Sequence, residues 1–194
     1  MFLPRRCVCV ILALFACVPV HAQSAADHNN LGIEAYDAGR FREAVGHFER
    51  AYEAAPQSET VRANLCNAHQ ATANEYAKGT VNGKQDFEAA SKHLEQAIAV
   101  DPKNPSPLVQ LGAYYLRLKM ISDAIFRLEE AVELKPGNID AHELLGQAYY
   151  EDNDLPAARA QWDYVLEMRP DWPGLREKYD KLFREELVEQ NFNS

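Results

Sequence analysis

The stretch LGAYYLRLKMISDAIFRLEEAVELKP, residues 111–136, returns 34 residues later as LGQAYYEDNDLPAARAQWDYVLEMRP, residues 145–170. The same frame holds along most of the chain. Leucines stand at Leu31, Leu65, Leu111 and Leu145, and prolines at Pro56, Pro102, Pro136 and Pro170. The leucines step by 34, 46 and 34 residues and the prolines by 46, 34 and 34. One 34-residue unit, used four times with a single insertion, explains both series. A unit this short cannot bury its own apolar face, so neighbouring copies must stack and share an elongated core.

Each unit holds two stretches with apolar residues at helical spacing. The first unit runs Leu31-Gly32, Tyr36, Gly39, Phe41, Ala44, Phe48, Ala51, Pro56; the fourth runs Leu145-Gly146, Tyr149, Leu155, Ala158, Trp162, Val165, Pro170. Small residues recur where two helices must approach: Gly32, Gly112 and Gly146 in the first helix, Ala44, Ala90, Ala124 and Ala158 in the second. Proline ends each unit because it cannot continue a helix. The second unit departs from the others. Leu65-Cys66 and His69 stand where the others carry Leu-Gly and, in two of them, Tyr115 and Tyr149, and the 12 extra residues fall between Cys66 and Phe87. Ala71 to Lys78 reads as a continued first helix, Gly79 as its stop and Asn82-Gly83 as a turn. The expectation is a pair of lengthened helices joined by a loop protruding at one rim.

This pattern resembles the tetratricopeptide repeat family over residues 25–172, with repeats at 25–58, 59–104 (insertion near 71–84), 105–138 and 139–172. The resemblance implies an all-α, right-handed superhelix of four helix pairs. Residues 173–194 add a capping helix in which Leu175, Tyr179, Leu182, Phe183 and Leu187 form the apolar face. The family lines its concave surface with the first helix of each pair, which implies a groove made by Asn29, Ile33, Tyr36 and Asp37; Ala63, Asn67, Gln70 and Ala71; Val109, Ala113, Leu116 and Arg117; and Glu143, Gln147, Tyr150 and Glu151. Amides there can bond a peptide backbone, and tyrosines offer rigid contact area. The lysine and arginine clamp by which some family members hold acidic peptide termini is missing. The positions that match it hold Asn29, Ile33, Asn64, Ser106 and Gln110.

The N-terminus reads as a targeting segment rather than as structure. Arg5 and Arg6 precede an apolar run from Cys7 to Val20, and Val20-His21-Ala22 forms a signal-peptidase site. Leu14-Phe15-Ala16-Cys17 is a rival lipoprotein box; an uncleaved anchor is the third reading. All three export the chain to the periplasm or beyond. Loss of residues 1–22 removes two of the 20 basic residues and none of the 29 acidic ones, so the net charge moves from −9 to −11. That balance disfavours nucleic acid and anionic membrane, unless Cys17 is lipidated. Of the four cysteines only Cys66 remains, in a slot that glycine fills elsewhere, so a buried inert thiol is expected.

No catalytic constellation emerges. His142-Glu143-Leu144-Leu145-Gly146 opens like a zinc-protease helix, but glycine stands where the second ligand is required. There is no phosphate loop, no GxSxG and no histidine beside Cys66 in the sequence pattern. The residues point to an interaction protein of the cell envelope, neither an enzyme nor a cofactor carrier, that holds a peptide or partner in its groove. The alternative is a structural or regulatory subunit of an assembly, secretion or peptidase complex, acting through the insertion rim or the last helix.

Overall fold

The computed structural model describes residues 24–79, 81, 83 and 85–192, with the side chains of 185–187 and 189–192 left aside. The N-terminal stretch read above as a targeting segment and Asn82 of the turn therefore lie outside the described residues. The described residues form helices without strands: α1 (Ala25–Asp37), α2 (Phe41–Ala54), α3 (Glu59–Lys78), α4 (Phe87–Val100), α5 (Pro105–Arg117), α6 (Ile121–Leu134), α7 (Ile139–Glu151), α8 (Leu155–Met168) and α9 (Leu175–Phe192). Helices pair as α1/α2, α3/α4, α5/α6 and α7/α8, each pair packs on the next, and α9 packs on α8. This is an all-α superhelix of the kind the repeat predicts.

Local sequence sets the helix starts. Ser24 and Asp27 form a capping box, and Ser58, Asp86, Asn104, Asn138 and Asp154 each accept a backbone N–H in the first turn of their helix. Three of the pairs turn on a residue with positive φ: Gly39 at 73°, Lys119 at 60° and Asn153 at 66°. At each, the next N–H returns to the carbonyl five residues back, as Arg40 does to Ala35 at 2.9 Å.

Packing follows the small-residue slots. A methyl group on Gly32 would stand 2.5 Å from Phe48 Cε1, and one on Gly112 2.5 Å from Leu128 Cγ; on Gly146 it would run into the Trp162 indole. Phe48, Leu94, Leu128 and Trp162 occupy one register position of the second helices and are all buried, as are Ala44, Ala90, Ala124 and Ala158. Cys66 takes the glycine slot of the second pair and is fully buried. Burial, and after it the nearby Asp101 carboxylate, pushes its thiol pKa up, which keeps the sulfur protonated.

The insertion lengthens one helix, not two. α3 has 20 residues where α1, α5 and α7 have 13, whereas α4 has the same 14 as α2, α6 and α8. The remaining extra residues lie in the connection, which Gly79 opens at φ 76° and which Asp86 N–H rejoins by bonding Tyr76 O at 3.0 Å. In α9, Leu175 and Leu182 are fully buried and Tyr179 is half-buried. Phe183, expected on the buried face, is 44% exposed with the Arg159 guanidinium 5.9 Å from its ring centre. Leu187 is outside the described side chains.

Candidate functional site

The first helices of successive pairs lie side by side and leave hollows between them. Ile33, Tyr36, Asp37, Asn64 and Asn67 surround one of 260 Å³ between α1 and α3, with Phe48 at its floor. A hollow of 640 Å³ opens between α5 and α7; Asn104, Ser106, Val109, Gln110, Asn138 and Glu143 are among its walls. It continues through Ala113 and Leu144 into a hollow of 340 Å³ walled by Leu116, Arg117, Lys119, Gln147 and Glu151. Gln147 and Glu151 also wall the next one, of 200 Å³, with Tyr150, Trp162, Lys178 and Lys181. The last three hollows share walls and so form one continuous trough along α7, flanked by α5 and α9.

The groove residues named from sequence have different fates. Val109, Arg117, Glu143, Gln147, Tyr150 and Glu151 line the trough; Ile33, Tyr36, Asp37 and Asn67 line the N-terminal hollow. Asn29 accepts a 2.9 Å hydrogen bond from Asn64 Nδ2 and so ties α1 to α3. Ala63 is exposed and Ala71 half-buried. Leu116 is 5% exposed and packs with Ala124, Leu128, Leu145 and Ala148, so it is a floor of the trough rather than a free side chain. Tyr36 stands edge-on to Phe41 at 5.0 Å, and Tyr150 lies 5.7 Å from Trp162 with Lys181 Nζ 5.2 Å from its ring centre. Both tyrosines thus combine a packing role with a groove face.

Gln70 does not belong to the free surface. It is 8% exposed; its Oε1 accepts from Ser106 Oγ at 2.7 Å and its Nε2 donates to Cys66 Sγ at 3.5 Å. One helical turn to either side, Cys66 Sγ accepts from Asn104 Nδ2 at 3.5 Å and Asn74 Oδ1 accepts from Tyr114 Oη at 2.9 Å. Cys66, Gln70 and Asn74 therefore make a polar ladder along one face of α3 that meets α5. The Asn74 rung sits in the added turns of α3.

Sequence reasoning missed Lys119, Lys178 and Lys181. Lys119 Nζ bonds Glu151 at 2.9 Å, and Lys178 Nζ bonds Glu143 at 2.8 Å. The signal for the last two was present. Leu175 and Leu182 stand 34 residues after Ala141 and Ala148, so α9 continues the repeat as a fifth first helix and presents lysines to the groove.

His69, His93 and His142 serve packing. His142 bonds Gln161 Oε1 at 2.7 Å and Pro136 O at 2.9 Å. His69 and His93 meet Nδ1 to Nδ1 at 3.2 Å across the α3/α4 interface, with Tyr76 stacked on His93. Burial, and secondarily His93, pushes the His69 pKa down to about 4. Among the described residues no group of three or more His, Cys, Asp or Glu side chains converges to hold a metal ion, and no helix is long and apolar enough to cross a membrane.

Comparison with known proteins agrees with this geometry. Models described as tetratricopeptide repeat match residues 29–68 and 115–177. The chain belongs to the tetratricopeptide repeat family. It is 34% identical over 100 residues to the tetratricopeptide repeat domain-containing protein PYG7, chloroplastic, of Arabidopsis thaliana, covering 50% of this chain and 33% of that one. It is 32% identical over 90 residues to the Hsp70-Hsp90 organizing protein of Triticum aestivum, covering 46% of this chain and 16% of that one. The chain thus spans a third or less of these curated relatives. Among solved structures, the first TPR of Spaghetti (RPAP3) bound to HSP90 peptide SRMEEVD superposes with a TM-score of 0.58 at 22% identity, over 62% of this chain and 91% of that one. A MamA RS-1 double mutant gives 0.61 at 17% identity, over 85% and 87%. At these identities the structures share the fold.

Proposed function

We propose that this chain is a protein–protein interaction adaptor that holds an extended segment of its partner in the trough along α7. The continuity of that trough carries the reading: three hollows joined through Ala113, Leu144, Gln147 and Glu151 make a path lined by amides, aliphatic surface and charged side chains of both signs. Such a lining supplies backbone hydrogen bonds and shape without demanding one side chain. A solved relative in fold carries an HSP90 peptide, which supports peptide capture as a use of this architecture. The adaptor role requires no cofactor and no catalytic group. The Arg5–Arg6 start, the apolar run and the Ala22 cleavage site support work in the cell envelope after export.

A photo-crosslinking amino acid placed at Gln147 or Ala113 should capture the physiological partner, and one at Glu133 or Lys92 on second helices should not. Equal capture at all four positions, or capture at the second-helix positions only, refutes the groove. Sequencing of the mature N-terminus should begin at Gln23; a lipid-modified Cys17 would show the anchored form instead.

A further inference from the structure

We infer that His28 of α1 and His47 of α2 form a divalent-metal site in the first helix pair, for an ion that suits imidazole, such as Cu²⁺ or Zn²⁺. The two rings meet across the α1/α2 interface with their centres 6.0 Å apart and their planes 35° from parallel. Both Nδ1 atoms are buried without a hydrogen-bond partner. Among the described residues no other imidazole nitrogen is in that state. The site lies outside the trough along α7 and does not depend on it.

The repeat isolates the anomaly. His28 and His47 stand 114 residues before His142 and Gln161, which fill the same two slots of the fourth pair. There Nδ1 of His142 meets Gln161 Oε1 at 2.7 Å and its Nε2 meets Pro136 O at 2.9 Å, so the ring is satisfied. The third pair fills the slots with Leu108 and Arg127, and the second with Arg62 and His93. His93 turns to His69 instead, Nδ1 to Nδ1 at 3.2 Å. The first pair alone sets two imidazoles in these slots. Buried polar atoms are nearly always paired, so two orphans at one contact call for a shared partner. With metal–nitrogen bonds of about 2.0–2.1 Å, two imidazoles on one ion hold their ring centres about 5 Å apart at a tetrahedral angle and about 6.4 Å apart when opposed. The observed separation falls between these limits. Water does not reach either Nδ1 atom. An ion bound at about 2.0–2.1 Å needs less room than a water hydrogen-bonded at about 2.8 Å. The Asp27 carboxylate, held by Ser24 N–H and Oγ at 2.9 Å each, lies near enough to His28 to favour positive charge there. Both histidines are only half-buried, which leaves solvent to complete the ion's shell. An ion there would clamp α1 to α2 beside Phe48, the floor of the N-terminal hollow.

The test uses the mature chain, expressed without a histidine tag, stripped with a chelator and titrated with Cu²⁺, Zn²⁺ and Mg²⁺ at about pH 7.5, where imidazole is neutral. Calorimetry should give one equivalent bound, Cu²⁺ more tightly than Zn²⁺ and Mg²⁺ not at all, and Cu²⁺ or Zn²⁺ should raise the melting temperature in a concentration-dependent way. His47→Gln copies the satisfied pair of His142 and Gln161 and should fold while losing about tenfold or more in affinity. His69→Tyr should leave the binding unchanged. If His47→Gln does not fold, His28→Leu, which copies Leu108, reads the same loss. No binding of Cu²⁺ or Zn²⁺ by the wild-type chain overturns the inference, and a water or an internal rearrangement then satisfies the two nitrogens. Equal affinity in His47→Gln, or a loss in His69→Tyr instead, overturns it as well.

Discussion

Acid should loosen the second helix pair before the others, and the His69–His93 contact sets by how much. His69 is 2% exposed and its pKa is pushed down to about 4 by burial and, after that, by His93. In the unfolded chain it titrates near its ordinary value of 6.5. A histidine whose folded pKa lies below its unfolded one contributes stability that is complete above pH 6.5. That contribution is lost as pH falls toward 4. At about 1.36 kcal/mol per pKa unit, the loss reaches roughly 2 kcal/mol at pH 5 and about 3 kcal/mol at pH 4, with a limit of about 3.4 kcal/mol at still lower pH. Native domains are stable by only about 5–15 kcal/mol, so an effect of that size is readily measured. The first proton entering the pair can reside on His93, which still donates through Nδ1 to His69; only the second places two cations 3.2 Å apart. The assay is urea unfolding of wild type and His69→Tyr at steps between pH 7.5 and about 4.5, with His69 Cε1–H followed by NMR. Tyrosine is the residue the third and fourth pairs use at this position, in Tyr115 and Tyr149. The difference between the two proteins cancels the carboxylates that titrate in both. It should narrow in favour of the variant by roughly 2 kcal/mol on going from pH 7 to 5. Parallel pH profiles for the two proteins, or an NMR pKa for His69 above 6, would refute the argument.

Other perturbations follow from the same packing. Gly146→Ala drives a methyl into the Trp162 indole and should cost about 1–3 kcal/mol in chemical denaturation, while Gly137→Ala, which meets nothing within 4 Å, should change little. Lys119→Gly should offset the loss of the Glu151 ion pair by relieving a left-handed backbone, and Asn153→Gly at the equivalent position of the next pair should stabilise by a few tenths to about 1 kcal/mol by melting temperature. Burial and the bond to Glu129 hold the Tyr149 phenol above its ordinary pKa of 10. Its stabilising contribution is therefore complete below pH 10 and lost as pH climbs toward the raised folded value, so Tyr149→Phe should cost about 1 kcal/mol at pH 7 and flatten the alkaline decline.

The fold was legible because the repeat constrains few things and constrains them four times. Leucine, glycine, alanine and proline positions each fix one close approach, and a single 34-residue spacing relates them. The length of α3 was legible from Gly79, the first glycine after Ala71–Lys78 and suited to a left-handed helix end. That α4 would keep its ordinary 14 residues was not, since nothing in Gln85-Asp86-Phe87 distinguishes a helix start from a helix interior until the Asp86 side chain caps Ala89 N–H. The groove was legible as a set of positions but not as a set of free side chains. Whether Gln70 faces solvent depends on Ser106 and Cys66, 36 residues ahead and four behind, and on the extra turns that bring Asn74 within reach of Tyr114. Leu116 was assigned to the surface by register alone, although Leu145 and Ala148 of the next pair cover it.

The irregular second pair thus does more to place the binding surface than the three regular ones. The other first helices leave hollows between them; α3 and α5 instead meet through the Cys66, Gln70 and Asn74 ladder, with Tyr114 also packed at 5.5 Å against Phe87. Each rung satisfies polar atoms that an open groove would offer to a ligand. A segment lying in the concave face therefore finds its amides already engaged at this junction. Past it, Gln110 and Gln147 wall open space and the lysines of α9 close the path. Breaking the ladder should extend the usable groove toward α1 rather than weaken the trough along α7. Gln70→Ala would leave Ser106 Oγ without its acceptor and cost about 1–3 kcal/mol of stability. Hydrogen exchange should rise first in the α3/α5 seam, with peptide capture at Gln147 retained. A Gln70→Ala protein that keeps its exchange protection at that seam, or loses capture at Gln147 while still folded, would show that the two halves of the groove are not separated in this way.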